Sequence, residues 1–240
     1  MIDKNSIKGV IFDYGGTIDT NGVHWGIVLQ EAYQRFKVPV EVTHFRAAYV
    51  HGERTLAVNR IVFPHFTFYD TLLAKITIQF EYLVSKGYLP VNYPCDSTID
   101  SITEYCYSFA RDFVNSAIPV LSGLSEKYPL VLVSNFYGNI ETVLEDFHLY
   151  HFFQHIVESA VVGIRKPDPA LFALGVEKLG LSASEVVVIG DSVRKDIHPA
   201  QSLGCRTIWL KGEGWGDEEE SVAIAGDVTI KNLNDVLTIL

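Results

Sequence analysis

Three apolar runs in this chain stop abruptly on polar side chains, and that pattern limits the possible folds more than any other feature. Val10-Ile11-Phe12 leads into Asp13, Leu130 to Val133 leads into Ser134 and Asn135, and Val186 to Ile189 leads through Gly190 into Asp191. A short continuous apolar run bounded by turn residues reads as a strand buried on both faces. Around the second and third runs, helix and strand patterns alternate. Ile140, Val143, Leu144 and Phe147 mark a helix, Ile156-Val157 a short strand, and Leu171 to Leu179 a helix opened by Pro167-Asp168-Pro169. A further helix follows Asp191 and stops at Gly204, and Thr207 to Leu210 and Val228 to Ile230 close the pattern. Such alternation predicts an α/β fold, a Rossmann-like parallel sheet covered by helices. The first run cannot bury itself, so it must join the same sheet.

The stretch between the first and second runs is different. Trp25, Val28, Leu29, Ala32, Tyr33 and Phe36 recur at helical spacing. So do Leu72, Leu73, Ile76, Phe80, Leu83 and Val84 before Gly87, and Ile99, Ile102, Cys106, Phe109 and Phe113. Amphipathic helices without a strong strand between them predict a small helical bundle inserted into the α/β domain. The expected organisation is a core made of residues 1–20 and 118–240, with residues 21–117 as the insertion.

Hydrophobic residues make up 48% of the 240, enough for a sizeable core, and the formal net charge is −10. That balance argues against nucleic acid or an anionic membrane as partner, because both require clustered Lys and Arg. The three cysteines, Cys95, Cys106 and Cys205, form no CxxC motif and fit a reducing cytoplasm better than a disulfide framework. The N-terminus lacks the apolar segment of a signal peptide, and no apolar run approaches the roughly 20 residues of a membrane span. The acidic run at 216–220 reads as a solvated loop, and no feature fixes the oligomeric state.

In an open parallel sheet the ligand crevice lies at the carboxyl ends of the strands. Asp13, Ser134-Asn135 and Asp191 should therefore converge there. Two carboxylates in one crevice repel unless a cation lies between them, and hard oxygen ligands favour Mg2+. A hydroxyl from Ser134, the charge of Lys166 in R-K-P-D-P, and the backbone amides of Gly15 and Gly16 complete a site suited to a phosphoryl group. Asp13 is the expected nucleophile, since carboxylates form aspartyl-phosphates.

In order along the chain, V-I-F-D-Y-G-G-T, L-V-L-V-S-N, R-K-P-D-P and G-D-S-V-R-K-D resemble the four motifs of the haloacid dehalogenase-like hydrolases. The resemblance implies that the helical insertion is a cap over the site. It implies that Asp13, Asp191 and the Gly15 carbonyl bind Mg2+, with Asp196 supporting the metal or orienting Lys166. Ser134 and Lys166 would hold the phosphoryl oxygens, with Gly16, Thr17 and Asn135 beside them. The implied function is a phosphatase acting on a small phosphorylated metabolite. Specificity is expected from His24-Trp25, His51-Gly52-Glu53-Arg54 and Phe136-Tyr137, with Arg54 available to a second anionic group of the substrate and His24 in contact with it.

One position departs from the motif. Family phosphatases carry a general acid/base aspartate two residues after the nucleophile, and here that residue is Gly15. Asp19, His24 and His51 are the nearest alternative proton carriers. The departure leaves other readings open: a phosphonate-cleaving enzyme using one of the cap lysines Lys37, Lys75 or Lys86, a dehalogenase, or a weakly active metabolite-binding protein.

Overall fold

The first strand, β1 (Gly9–Phe12), is buried along its whole length because it lies at the centre of the sheet. In the computed structural model, which describes residues 2–215 and 226–240, six parallel strands run in the order β3-β2-β1-β4-β5-β6. They are β2 (Leu130–Ser134), β3 (His155–Glu158), β4 (Val186–Gly190), β5 (Arg206–Leu210) and β6 (Val228–Ile230). β1 pairs with β2 on one side (Phe12 opposite Leu132) and with β4 on the other (Phe12 opposite Ile189). Successive side chains of a strand point to opposite faces. Val10, Phe12, Leu130, Leu132, Val187 and Ile189 accordingly enter one hydrophobic cluster, while Ile11, Val131, Val133, Val186 and Val188 enter another with Leu171 and Phe172. The acidic run at 216–220 lies outside the described residues.

The insertion consists of α1 (Trp25–Arg35), α2 (Val42–Val58), α3 (Phe68–Ser85) and α4 (Cys95–Ser125). α3 begins with Thr67 and Asp70 capping each other's backbone amides, which satisfies donors the first turn would otherwise leave open. Three of these helices match the sequence pattern, and α2 is an addition to it. Its buried positions Phe45, Ala48, Tyr49, Gly52 and Leu56 have helical spacing, but alanine and glycine dilute the apolar signal. α4 is longer than its pattern, at 31 residues, and continues through Pro119. The expected domain boundary at residue 117 thus falls inside a helix.

The remaining helices cover the sheet: α5 (Ile140–Asp146), α6 (Ser159–Val162), α7 (Ala170–Leu179), α8 (His198–Ser202) and α9 (Val236–Ile239). One wide helical turn, Val193–Ile197, follows β4 directly, with the Ile197 amide reaching back to the Ser192 carbonyl. No helix among the described residues is long and apolar enough to cross a membrane.

Candidate active site

The order of strands reverses direction at β1, and the carboxyl end of the sheet at such a point forms the crevice. Asp13 leaves β1 there and Asp191 leaves the adjacent β4. The Thr17 hydroxyl stands 3.3 Å from Asp13 Oδ2 and 3.3 Å from Asp191 Oδ1. Carboxylate oxygens of Asp13, Asp191 and Asp196 all lie within 4.8 Å of one another. Gly16 makes this approach possible. Its φ is +97°, and a Cβ there would lie 2.4 Å from the Asp191 carboxylate.

Lys166 supplies the cluster's cation. Its Nζ is 2.5 Å from Asp13 Oδ1 and 2.7 Å from Asp196 Oδ1, and the side chain is almost fully buried. Asn135 fixes the backbone of Lys166 from both sides, accepting from its amide at 2.9 Å and donating to its carbonyl at 3.1 Å. Asp196 uses its other oxygen to accept from the Ser192 amide at 3.1 Å. It therefore both orients Lys166 and caps the turn after β4.

One ammonium among three carboxylates, Asp13 and Asp196 buried and Asp191 half-buried, leaves excess negative charge. Burial pushes the Asp13 carboxyl up to about 6; Lys166 opposes that rise and Asp196 adds to it. Burial, Asp196 and Asp13 together hold Asp191 well above the ordinary range. Lys166 moves the other way: burial favours its neutral form, but the two carboxylates outweigh that and keep it protonated. A hard divalent cation among these oxygens removes the mismatch, so the donor set suits Mg2+. Asp196 has both oxygens engaged by Lys166 and the Ser192 amide, which leaves Asp13 and Asp191 as the carboxylates of the cluster that could hold it.

Above the cluster is a cavity of about 790 Å³ between the sheet edge and the helical insertion. Asp13, Gly15, Gly16, Ser134, Asn135 and Lys166 form its floor. Gly15 faces open space, where a Cβ would meet no atom within 4 Å. Of the residues expected at the site, Thr17 lies below the floor, where it links the two carboxylates. His24 lines the cavity, with Nδ1 accepting from the Gly26 amide at 3.0 Å as the cap of α1. Burial, helped by Lys195, lowers its pKa to about 4, so it is neutral at physiological pH. Arg54 and His51 are exposed on α2 and do not line the cavity, which corrects both expectations. At helical spacing they project away from Glu53, which does line it.

Asp19 is a further cavity carboxylate. Its Oδ1 accepts from Gly16 N at 2.7 Å and its Oδ2 from Trp25 Nε1 at 2.8 Å. Burial raises its pKa to about 7 against these two hydrogen bonds. Trp25, Glu53, Phe136 and Tyr137 line the cavity as anticipated. Tyr49, Lys75 and Trp215 line it too; of these the sequence singled out only Lys75, as one of three cap lysines. One signal was available for Lys75. Thr71, Lys75 and Gln79 form a polar row at four-residue spacing beside the apolar stripe of α3, and all three are buried.

Comparisons with known proteins agree with this geometry. A family model described as haloacid dehalogenase-like hydrolase matches residues 7–204. The glyceraldehyde 3-phosphate phosphatase of Pyrococcus abyssi is 30% identical over 241 residues, covering 98% of this chain and 94% of that protein. The protein of the same name from Methanocaldococcus jannaschii is 36% identical over 93 residues, 38% of this chain and only 40% of that one. The fold of the HAD-hydrolase YfnB from Bacillus subtilis, solved bound to magnesium, superposes with a TM-score of 0.60 at 19% identity over 98% of each chain. The family match spans most of the sequence and includes Asp13, Ser134, Lys166 and Asp191, so the chain belongs to the haloacid dehalogenase-like hydrolases.

Proposed function

We propose that this chain is a Mg2+-dependent phosphatase that hydrolyses a small phosphate monoester through an aspartyl-phosphate on Asp13. The observation that carries the reading is the Asp13 carboxylate on the floor of the cavity, held by Lys166 and beside Asp191. Asp13, Asp191 and the Gly15 carbonyl would hold Mg2+, which would supply positive charge against the phosphoryl oxygens. Asp13 attacks phosphorus, and the bond from phosphorus to the ester oxygen breaks as the new one forms. Lys166 and Ser134 hold the phosphoryl oxygens in line, with the Gly16 amide turned toward Asp19 instead. Asn135, Thr17 and Asp196 act one step back, positioning Lys166 and the two carboxylates. Water then attacks phosphorus, releases phosphate and restores the Asp13 carboxylate.

The leaving alkoxide needs a proton in the first step, and Gly15 has none to give. His24 is neutral with Nδ1 engaged, and Asp19, though burial raises it to about 7, is turned to the Gly16 amide and the Trp25 indole. The site is thus suited to esters with good leaving groups, or to slow turnover of alkyl esters. The full-length relative from Pyrococcus abyssi supports small sugar phosphates as the substrate class. The phosphonate-cleaving alternative needs a neutral amine for imine formation. Lys75 does line the cavity, but the Glu53 carboxylate 2.7 Å away keeps it an ammonium.

The test is release of inorganic phosphate, with and without Mg2+, from acetyl phosphate and a panel of alkyl phosphates. Mg2+-dependent release that Asp13→Asn abolishes supports the reading. Release that persists in Asp13→Asn rejects it.

A further inference from the structure

The side of the cavity formed by α2 and α3 holds a second, largely buried ion pair that the phosphoryl chemistry does not use. Lys75 Nζ on α3 lies 2.7 Å from Glu53 Oε1 on α2, with the two side chains 9% and 33% exposed. Tyr137, which follows β2 in the core, donates its hydroxyl to Glu53 Oε2 at 2.8 Å, and its ring lies 5.4 Å from Lys75 Nζ. Gly52 allows the two helices this close, since a Cβ there would sit 3.2 Å from Gln79. Burial works against both charges, yet each keeps the other ionised: Lys75 stays far above its ordinary value and Glu53 below its own.

This pair has an asymmetry toward the cavity. Both carboxylate oxygens of Glu53 are taken, one by the ammonium and one by the phenol. The ammonium meets one carboxylate oxygen of Glu53 and the ring and hydroxyl of Tyr137, so one of its three donors remains for the side that lines the cavity. A ligand oxygen there gains a charge-assisted hydrogen bond. A ligand carboxylate there is a second anion beside Glu53, with Lys75 in contact and the Lys195 charge acting from farther off, and like charges so placed repel.

We propose that Lys75, held by Glu53, determines specificity for the non-phosphoryl end of the substrate, selecting phosphate esters whose far end carries an uncharged oxygen function, a hydroxyl or carbonyl, over those ending in a carboxylate. The inference rests on the phosphatase reading only in placing the phosphoryl group at Asp13.

The experiment uses the matched pair glycerol 3-phosphate and 3-phosphoglycerate, which differ in that a terminal CH2OH replaces a carboxylate. Binding is measured by calorimetry with Mg2+ on full-length Asp13→Asn, where turnover is blocked. Glycerol 3-phosphate is expected to bind at least tenfold more tightly. Adding Glu53→Gln removes the competing anion and should reverse the order, with 3-phosphoglycerate gaining at least tenfold. The double change Lys75→Met and Glu53→Gln, which removes both charges together and leaves neither unpaired, should bring the two ligands within threefold of each other. Equal or tighter binding of 3-phosphoglycerate with Glu53 present overturns the proposal. So does an order that Glu53→Gln leaves unchanged, or a failure of glycerol 3-phosphate to bind. If wild type releases no phosphate from any ester while the binding order holds, the phosphatase reading fails and this assignment stands.

Discussion

Gly15→Asp is the change whose outcome says most about the chemistry. The position is built to accept it. Its φ is outside the left-handed region, and a Cβ would project into the cavity without meeting an atom within 4 Å. Replacing glycine at a compatible conformation also restricts the unfolded chain, a gain of about 0.4–1 kcal/mol that offsets part of the cost of one more carboxylate near Asp13. The new carboxyl stands where the leaving oxygen needs a proton. General acid catalysis contributes about 10²–10⁴-fold, which is about 3–5 kcal/mol at about 1.4 kcal/mol per decade. The expected result is a rise of that size in kcat/KM for alkyl phosphates such as glycerol 3-phosphate. Acetate leaves without help, so kcat/KM for acetyl phosphate should change less than about threefold. Phosphate release under Mg2+ saturation, with the melting temperature as a check on folding, makes the comparison. An equal rise with both substrates, or none with the alkyl ester in a folded variant, refutes the argument. A flat response combined with loss of alkyl-ester activity in Asp19→Asn would assign the proton to Asp19.

Further outcomes follow from the charges. Mg2+ should raise the melting temperature, since ligand at about 100 times its Kd stabilises by about 2.7 kcal/mol, or about 5–10 °C in a chain of this size. Asp191→Asn should remove most of that shift in a thermal melt, and an unaltered shift would place the ion elsewhere. Lys166→Met leaves Asp13 and Asp196 without their cation, so in EDTA it should destabilise by about 3–5 kcal/mol by denaturant titration. Burial raises the Asp19 pKa from 3.8 to about 7, so the folded state holds this proton more tightly than the unfolded chain does. The stability that Asp19 contributes is therefore complete below about pH 4 and is lost as pH rises to about 7, a change of up to about 4 kcal/mol. Calorimetric melts of Asp19→Asn across that window should show a flatter slope than wild type. An identical slope rules out Asp19 as the source.

The two ends of the cavity were not equally legible in the sequence. The phosphoryl end is made by strand termini, and in a parallel sheet the termini of adjacent strands meet whatever lies between them in the chain. Asp13, Ser134 and Asp191 could be brought together from the alternation pattern alone, and Lys166 was set near them by the R-K-P-D-P turn. The far end is made by helix faces. Periodicity identifies the buried face of α3, but it does not say which helix packs there or at what height. The Lys75–Glu53 pair depends on Gly52 letting α2 approach at one level of α3, and Gly52 itself weakens the pattern that would have revealed α2. Arg54 failed as a cavity residue for the same reason: one residue past Glu53 on a helix is about 100° around it. Trp215 comes from the loop after β5, where no period exists to read.

The same hydrogen bonds that close the cavity also shape what it accepts. The insertion is tied to the core at Trp25–Asp19 and at Glu53–Tyr137, and near the start of α3 by Asn139 donating to Thr71 Oγ1 and the Phe66 carbonyl. Asp19 is also the acceptor for Gly16, the glycine that lets the nucleophile turn approach Asp191. Glu53 is also the partner of Lys75. Lifting the helices off the sheet would therefore loosen the nucleophile turn at one end and release Glu53 from its phenol at the other. In the separated state Lys75 and Glu53 keep each other but lose the ring and hydroxyl that fix their orientation. Were the helices to lift and close over a phosphate ester, closure would assemble the phosphoryl site and the far-end site in one movement, and a ligand that fits only one end would not hold the cap down. Recognition at Lys75 would in this way be coupled to the geometry at Asp13, the route by which contacts remote from phosphorus can reach the chemical step.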